Sequence, residues 1–123
     1  MTIYLDSNYL ILLAVDEAVN ERVGAWIVEG AVLKTSAMVW AEFCSGPVDK
    51  KILALVADII AEIVPVDTTI VRAAAHLFQQ TGRRPRSLPD CITAATAIAD
   101  GAALATHNRT DFAPFVPHGL RIA

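Results

Sequence analysis

The chain alternates short apolar runs with longer segments in which apolar residues recur every three or four positions. The run at 2–5 predicts a buried strand, the runs at 31–35, 63–66 and 102–105 predict further strands, and residues 119–122 can add a last short strand. The proline in the third run favours an edge strand or the end of a strand. Strands that alternate with helices predict a three-layer α/β/α fold with a mostly parallel central sheet.

Helices are predicted between these strands, and most of them carry a recognisable start or stop signal. Ser36 and Asp67 are predicted to cap the helices that follow them, and Ser87 is predicted to open a helix that runs to Gly101. Pro47 suits the first turn of a further helix. The stretch that contains Asp111, after the fourth strand, is predicted to be irregular.

Composition narrows the possibilities further. Residues 1–123 are predicted to form a single domain, and 54% of them are hydrophobic, with a mean hydropathy of +0.47. Soluble domains are usually about 45–50% apolar, so the excess predicts a buried subunit interface such as that of a homodimer. No apolar run approaches the ~18 residues of a membrane helix, and no signal peptide is apparent, so a cytoplasmic location without membrane association is expected.

Four carboxylates interrupt apolar surroundings. Asp6 directly follows the first strand, and Asp111 lies just beyond the fourth. Asp90 lies in the first turn of an alanine-rich helix, and Glu42 is the only charged residue of its helix. Right-handed crossovers bring the carboxyl ends of parallel strands to one edge of the sheet, where ligands bind in such folds. The four acids are therefore predicted to meet there.

Gathered carboxylates repel one another, and their pKa values rise unless a cation is present. Magnesium takes oxygen ligands and is bound by a few carboxylates together with water. Such an ion can activate water and stabilise the leaving oxygen when a phosphodiester is cleaved. The net charge of −3 argues against a nonspecific DNA-binding protein with a broad basic face, but not against a nuclease whose acidic site holds metal.

The residues also match a known family. The segments 4–8 (YLDSN), 41–42 (AE), 89–97 (PDCITAATA) and 105–112 (ATHNRTDF) resemble the PIN-domain ribonucleases, and most of all the VapC-type toxins of prokaryotic toxin–antitoxin pairs. The resemblance spans nearly the whole chain. It departs from the family pattern at Ser7-Asn8, where a Thr-Ser-type pair is common, and at His107, where arginine is common. Both departures leave substrate preference open.

The resemblance implies an endoribonuclease that depends on Mg²⁺ or Mn²⁺, forms a homodimer and is inhibited by an antitoxin whose tail enters the site. It implies an acidic cluster with polar neighbours that orient the acids or waters. The acids are Asp6, Glu42, Asp90 and Asp111, and the polar neighbours are Asn8, Thr106 and Asn108. Of the acids, Asp6, Asp90 and Asp111 are expected to bind the metal directly, and Glu42 either directly or through a water.

Each acid also has a purely structural interpretation. Asp6 could be a polar strand end, Glu42 a solvated helix residue, and Asp111 a brace for a turn. Asp90 stands three residues after Ser87, the spacing of a capping box. The four together, in this order, are harder to explain by structure alone.

A basic loop precedes the alanine-rich helix. Its arginines, Arg83, Arg84 and Arg86, could contact RNA phosphates or could form an ordinary solvated surface.

Three other functions compete with a nuclease. A phosphorylation-dependent receiver domain requires an acidic pair after the first strand and a late lysine, but Thr106 occupies the late position. A phosphatase with an Asp-x-Asp motif requires an acid where Asn8 stands. A catalytically silent PIN-like module that only binds a partner protein remains the alternative, and its weakness is that it has no need to gather carboxylates.

Overall fold

All five predicted strands form one sheet in the computed structural model, which describes residues 1–123. The strands are β1 (Thr2–Leu5), β2 (Val32–Ser36), β3 (Glu62–Val64), β4 (Ala103–Ala105) and β5 (Arg121–Ile122). Their order across the sheet is β3-β2-β1-β4-β5, and each of the four pairings is parallel. The prediction of a mostly parallel sheet is confirmed, and β3 lies at an edge as its proline indicated.

Seven helices connect and cover the strands. They are α1 (Ser7–Leu12), α2 (Glu17–Val28), α3 (Ala37–Ser45), α4 (Lys50–Ile59), α5 (Thr68–Gln80), α6 (Leu88–Ala99) and α7 (Arg109–Phe112), followed by a 3-10 segment over Ala113–His118. The predicted caps of α3 and α5 are formed: Ser36 accepts a hydrogen bond from the Val39 amide, and Asp67 accepts one from the Ile70 amide.

The two faces of the sheet bury separate hydrophobic cores. Ile3 and Leu5 of β1 point to the core formed with α1 to α4, whereas Tyr4 points to the core formed with α5 and α6. This alternation follows from the two-residue period of a strand. Helices therefore cover both faces, and the three-layer α/β/α prediction is confirmed.

The strand order places a topological switch point beside β1. The chain leaves β1 towards β2 and β3 on one side, and then crosses back to β4 and β5 on the other. At such a point the loops after the two central strands diverge and leave a crevice outside their carboxyl ends. Here those loops begin at Asp6, after β1, and at Thr106, after β4.

Two local predictions were wrong. Pro47 does not start a helix; α4 begins at Lys50, because the Asp49 carboxylate accepts a hydrogen bond from the Lys51 amide at 2.7 Å and so caps the helix. The stretch around Asp111 is not irregular, since it forms the short helix α7 and the 3-10 segment after it. No helix of the structure combines the length and the apolar character needed to span a membrane.

Candidate active site

Asp6 lies at the end of β1 and is the most enclosed of the four acids, with only 5% of its surface exposed. One carboxylate oxygen, Oδ1, accepts a hydrogen bond from the Ser7 amide at 2.9 Å and so caps α1. The other, Oδ2, accepts one from the Thr106 hydroxyl at 2.7 Å and a longer one from the Asn8 amide group at 3.4 Å. The carboxylate is thus fixed in one orientation at the switch point.

Thr106 and Asn8 connect the ends of the two central strands. The Thr106 hydroxyl is buried, and besides donating to Asp6 it accepts a hydrogen bond from the Asn108 amide at 3.0 Å. Asn8 Oδ1 accepts a hydrogen bond from the His107 amide at 3.1 Å. Thr106 and Asn8 therefore contact Asp6 directly. The Asn108 side chain makes no hydrogen bond within the protein, and its connection to the site is through its backbone.

Glu42 and Asp90 share the electrostatic environment of Asp6. Desolvation, followed by the charges of Asp6 and Asp111, raises the pKa of Asp90 to about 6, although the nearby Arg84 guanidinium opposes the rise. The pKa of Glu42 is also raised, first by partial desolvation and then by the charges of Asp6 and Asp90, even though Glu42 is exposed on α3. Mutual repulsion of this kind requires that the carboxylates lie near one another.

Asp111 and Arg84 border the same edge. Asp111 is exposed on α7, and its charge acts on Asp90. The Arg84 side chain donates a hydrogen bond to the Asp111 carbonyl at 3.4 Å and lies over the Phe115 ring, 5.6 Å from its centroid. Its buried Nε has no hydrogen-bond partner. Of the three loop arginines, Arg84 is the one that faces the acids.

Arg83 and Arg86 differ from Arg84. Both are exposed, and both have left-handed backbone angles, with φ values of 53° and 65°. This conformation costs a residue with a side chain about 1–2 kcal/mol. The loop therefore holds two arginines outward at some expense in stability.

The structural interpretation of Asp90 as a capping-box partner is not supported. Ser87 precedes α6, but its side chain makes no capping hydrogen bond; its hydroxyl donates to the Arg84 carbonyl at 2.8 Å. The Ser87 amide also bonds to the Arg84 carbonyl rather than to Asp90. Asp90 therefore stands in the first turn of α6 without a local partner for its carboxylate.

The donor set fits a hard divalent cation in chemistry. All four acids offer oxygen, and the raised pKa values of Glu42 and Asp90 show a charge density that a cation would relieve. The side chains are nevertheless not drawn together into a closed binding shell, because no three His, Cys, Asp or Glu groups are arranged to hold an ion. Such a spacing fits an ion that keeps several waters, as Mg²⁺ usually does.

Sequence analysis missed one residue that supports the site. Tyr9, on α1, is buried and stacks on His107 with ring centroids 4.8 Å apart. From the sequence, Tyr9 was predictable only as part of an apolar helix face, because its stacking partner His107 lies almost a full chain length away.

Comparison with known families supplies the decisive match: residues 3–113 fit the model of the PIN domain. The chain belongs to the PIN domain family. The four acids of this PIN domain lie in the segments 4–8, 41–42, 89–97 and 105–112. Comparison with curated protein sequences finds no match.

Solved structures resemble this PIN domain over nearly its whole length. VapBC2 from Rickettsia felis, bound to a promoter DNA fragment, matches with a TM-score of 0.81 at 18% identity, covering 100% of this chain and 98% of that chain. A toxin–antitoxin complex from Klebsiella pneumoniae matches at 0.74 and 24%, covering 90% of both chains. VapBC-1 from Haemophilus influenzae matches at 0.71 and 24%, covering 100% and 97%. At these identities the likeness establishes the fold.

Proposed function

We propose that this PIN domain is a metal-dependent endoribonuclease, the toxin of a type II toxin–antitoxin pair. The observation that carries the proposal is the electrostatic coupling of Asp6, Glu42, Asp90 and Asp111 at the switch point of the sheet. The raised pKa values of Glu42 and Asp90 mean that their charges destabilise the metal-free protein, so a structural role does not account for these two acids. The resemblance to structures of toxin–antitoxin complexes supports the toxin assignment.

In the proposed mechanism each acid has a distinct task. Asp6 is held in one orientation by Thr106, and it presents a preorganised oxygen to a divalent cation. Asp90 and Asp111 are proposed as the other direct ligands, which requires the side chains to come closer together than they are in this structure, and Glu42, exposed on α3, binds the ion or one of its waters. When bound, Mg²⁺ or Mn²⁺ lowers the pKa of water and stabilises the leaving oxygen of the phosphodiester. The products are a hydrolysed RNA chain with two new ends.

The openness of the acidic edge suits a polymeric substrate. None of the five surface cavities of the protein is lined by any of the four acids, so the site lies on an open edge rather than in an enclosed pocket. Arg84 is positioned to contact a phosphate that reaches this edge, with Arg83 and Arg86 contacting phosphates farther along the chain. Asn108, whose side chain makes no hydrogen bond within the protein, is proposed to contact substrate or a metal water.

The proposal is tested by cleavage of a mixed RNA pool in Mg²⁺ or Mn²⁺. Asp6→Asn preserves the size of the side chain but removes its charge, and we expect it to lower cleavage by about 100-fold or more, as loss of a key electrostatic group does. Asp58→Asn is the matched control, because Asp58 is exposed on α4, away from the acids. Chelation of the metal should abolish cleavage by both the wild type and the control.

The same variants separate an enzyme from a silent partner-binding module. If neither ion supports more cleavage by the wild type than by Asp6→Asn, and neither ion raises the melting temperature of the wild type, the nuclease proposal is wrong. An intact complex with a partner protein under those conditions would favour the module.

An antitoxin partner and a homodimer form the second part of the proposal. An apolar groove of about 220 Å³ lies between α1, α3 and α4, and Ile11 and Val15, 54% and 72% exposed, lie on its wall. Other exposed apolar residues lie elsewhere, including Val28 at 87%. Light scattering of the isolated chain should give a dimer mass, and a monomer at micromolar concentration would contradict the homodimer.

A further inference from the structure

Three aromatic rings form a continuous stack beside the acids. The rings of His107 and Tyr9 have centroids 4.8 Å apart and an interplanar angle of 21°. Tyr9 in turn stacks on Trp26 at 6.0 Å and 23°, and the Arg22 guanidinium lies 5.1 Å from the Trp26 centroid. We call His107, Tyr9 and Trp26 the aromatic stack. It runs from Trp26 on α2 to His107, which follows β4 at the carboxyl edge of the sheet.

His107 is the exposed end of the aromatic stack. Tyr9 covers one face of its ring, and Tyr9 itself is only 3% exposed and packed in the core, so the support is rigid. His107 is exposed, and its ring nitrogens make no hydrogen bond within the protein. The second face of the imidazole is therefore open to solvent, on a ring that is already held in place.

The backbone of His107 is tied to the acid at the centre of the site. Its amide donates to Asn8 Oδ1 at 3.1 Å, and the Asn8 side chain also donates to Asp6 Oδ2 at 3.4 Å. Thr106, the preceding residue, donates to the same carboxylate oxygen. The exposed His107 ring therefore has a fixed position near Asp6, because the preceding residue, Thr106, donates a hydrogen bond to the Asp6 carboxylate.

We propose that His107 is a stacking platform for one unpaired base of the RNA substrate, next to the phosphodiester that is cleaved. The inference rests on the proposed function and adds to it a residue that contacts one base of the substrate. Aromatic side chains recognise splayed, unpaired bases by stacking, whereas a base inside a duplex is not accessible in this way. A ring immobilised by Tyr9 loses little further entropy on binding.

Because the protein is acidic, a contact with RNA that does not depend on charge is important for binding. With a net charge of −3 and four acids at the site, general attraction for the RNA backbone is weak. Stacking on an aromatic face contributes independently of charge and tolerates any base. The three loop arginines supply the phosphate contacts, and the aromatic stack supplies the contact with a base.

The test measures binding of a short fluorescent single-stranded RNA of mixed sequence, in Mg²⁺, by proteins that carry Asp6→Asn so that the RNA stays intact. When His107→Ala is combined with Asp6→Asn, RNA binding is expected to weaken by about 5- to 150-fold, which corresponds to the 1–3 kcal/mol of one base–aromatic stack. His107→Phe should restore binding. The salt dependence of RNA binding should be unchanged in the His107→Ala and His107→Phe variants, because neither loses a phosphate contact. A duplex RNA should bind all three proteins alike.

The controls are His76→Ala and His118→Ala, since these histidines line a groove between α5, α6 and the 3-10 segment, away from the acids. Neither should alter RNA binding. Restoration by His107→Arg but not by His107→Phe, with a shallower salt dependence in His107→Ala, would overturn stacking in favour of a phosphate contact. Unchanged binding by His107→Ala would also overturn it.

Cleavage by proteins with Asp6 intact separates the two proposals. If the wild type cleaves RNA and His107→Ala cleaves with an unchanged KM, only the stacking inference fails. If the wild type cleaves nothing in either metal, the proposed function itself fails. A raised KM with a nearly unchanged kcat in His107→Ala, restored in His107→Phe, supports both.

Discussion

At the scale of single residues, the site depends on how one hydroxyl is shared. Thr106 Oγ1 donates to the buried Asp6 carboxylate and accepts from the Asn108 amide, and Thr106 itself is buried. Loss of a buried hydrogen-bonding group leaves its partners unsatisfied, which costs more than the net value of the bond. Thr106 is therefore expected to contribute to stability as well as to orient a proposed metal ligand.

Thr106→Val keeps the shape of the side chain and removes the hydroxyl. We expect the free energy of unfolding to fall by about 1–3 kcal/mol, because the Asp6 carboxylate and the Asn108 amide both lose a partner. Urea denaturation monitored by circular dichroism measures the change. Thr106→Ser, which retains the hydroxyl, is the control and should lose less. A valine variant as stable as the wild type would show that the hydroxyl is not required.

Residues that form local hydrogen bonds or follow a regular spacing were predictable from the sequence, and so were the four acids. Asp6 was recognisable because it ends an apolar run, and Asp90 because it interrupts an alanine-rich helix. The meeting of the acids at one edge followed from the predicted topology, but individual side-chain contacts between distant segments were not recognisable. Tyr9 and His107 are adjacent only because β1 and β4 pair in the centre of the sheet, and nothing in either segment alone records that pairing.

At the scale of elements, α3 and α5 begin where Ser36 and Asp67 were predicted to cap them, and the errors came from competing local partners. Pro47 and Asp49 both offered a start for α4, and the carboxylate determined it. Ser87 had the spacing of a capping box, but its hydroxyl bonds to the Arg84 carbonyl behind it, since the residue has helical backbone angles. The sequence could not distinguish these alternatives. Proline and aspartate can each begin a helix, and a serine hydroxyl can bond either to the helix that follows or to a carbonyl that precedes it.

The alanine-rich sequence of α6 is explained by the close packing of this helix. It packs between the sheet and α5, and Ala94 and Ala97 are completely buried. Small residues permit this close approach, and α6 carries Asp90 into the site at its first turn. The position of the carboxylate therefore depends on side-chain volume several residues away from it.

Ala97→Leu is expected to destabilise the protein by about 1–3 kcal/mol, because the added methylene groups have no space in a close-packed core. Chemical denaturation measures the loss. Ala99→Leu is the matched control on the same helix; Ala99 is exposed, so its replacement should change stability by no more than about 0.5 kcal/mol. Equal effects of the two substitutions would contradict this account of the packing.

At the scale of the whole molecule, fold and site share one cause. The strand order reverses direction beside β1, so the loops after β1 and β4 separate and expose Asp6 and Thr106 together. The helices that follow β2 and β3 bring Glu42 and Asp90 to the same edge. The metal-free protein therefore concentrates negative charge where the sheet provides a crevice, and its stability should depend on pH and on cations.

The sign of the pH effect follows from the raised pKa of Asp90. Its value is about 6 in the folded protein and near the ordinary 3.8 in the unfolded chain, so the folded state binds more protons between these values. Stability must then fall as the pH rises from about 4 to about 6 and level off above. The raised pKa of Glu42 acts in the same direction. The lowered pKa of Asp100, beside Tyr4 and Lys34, acts oppositely but below pH 4.

Metal-free protein is accordingly expected to be more stable at pH 5 than at pH 7 by about 1 kcal/mol, because only the step from pH 5 to pH 6 lies below the folded pKa of Asp90 and one pKa unit corresponds to about 1.4 kcal/mol. Thermal unfolding in the presence of a chelator at the two pH values measures the difference. Asp90→Asn should remove most of it and raise stability at pH 7, because a neutral amide is not subject to the desolvation of a charge or to repulsion by Asp6 and Asp111. Millimolar Mg²⁺ at pH 7 should stabilise the wild type more than Asp90→Asn. A wild type whose stability does not change between pH 5 and pH 7 would contradict the raised pKa of Asp90, and the case for a cation at this edge would then lose its physical basis.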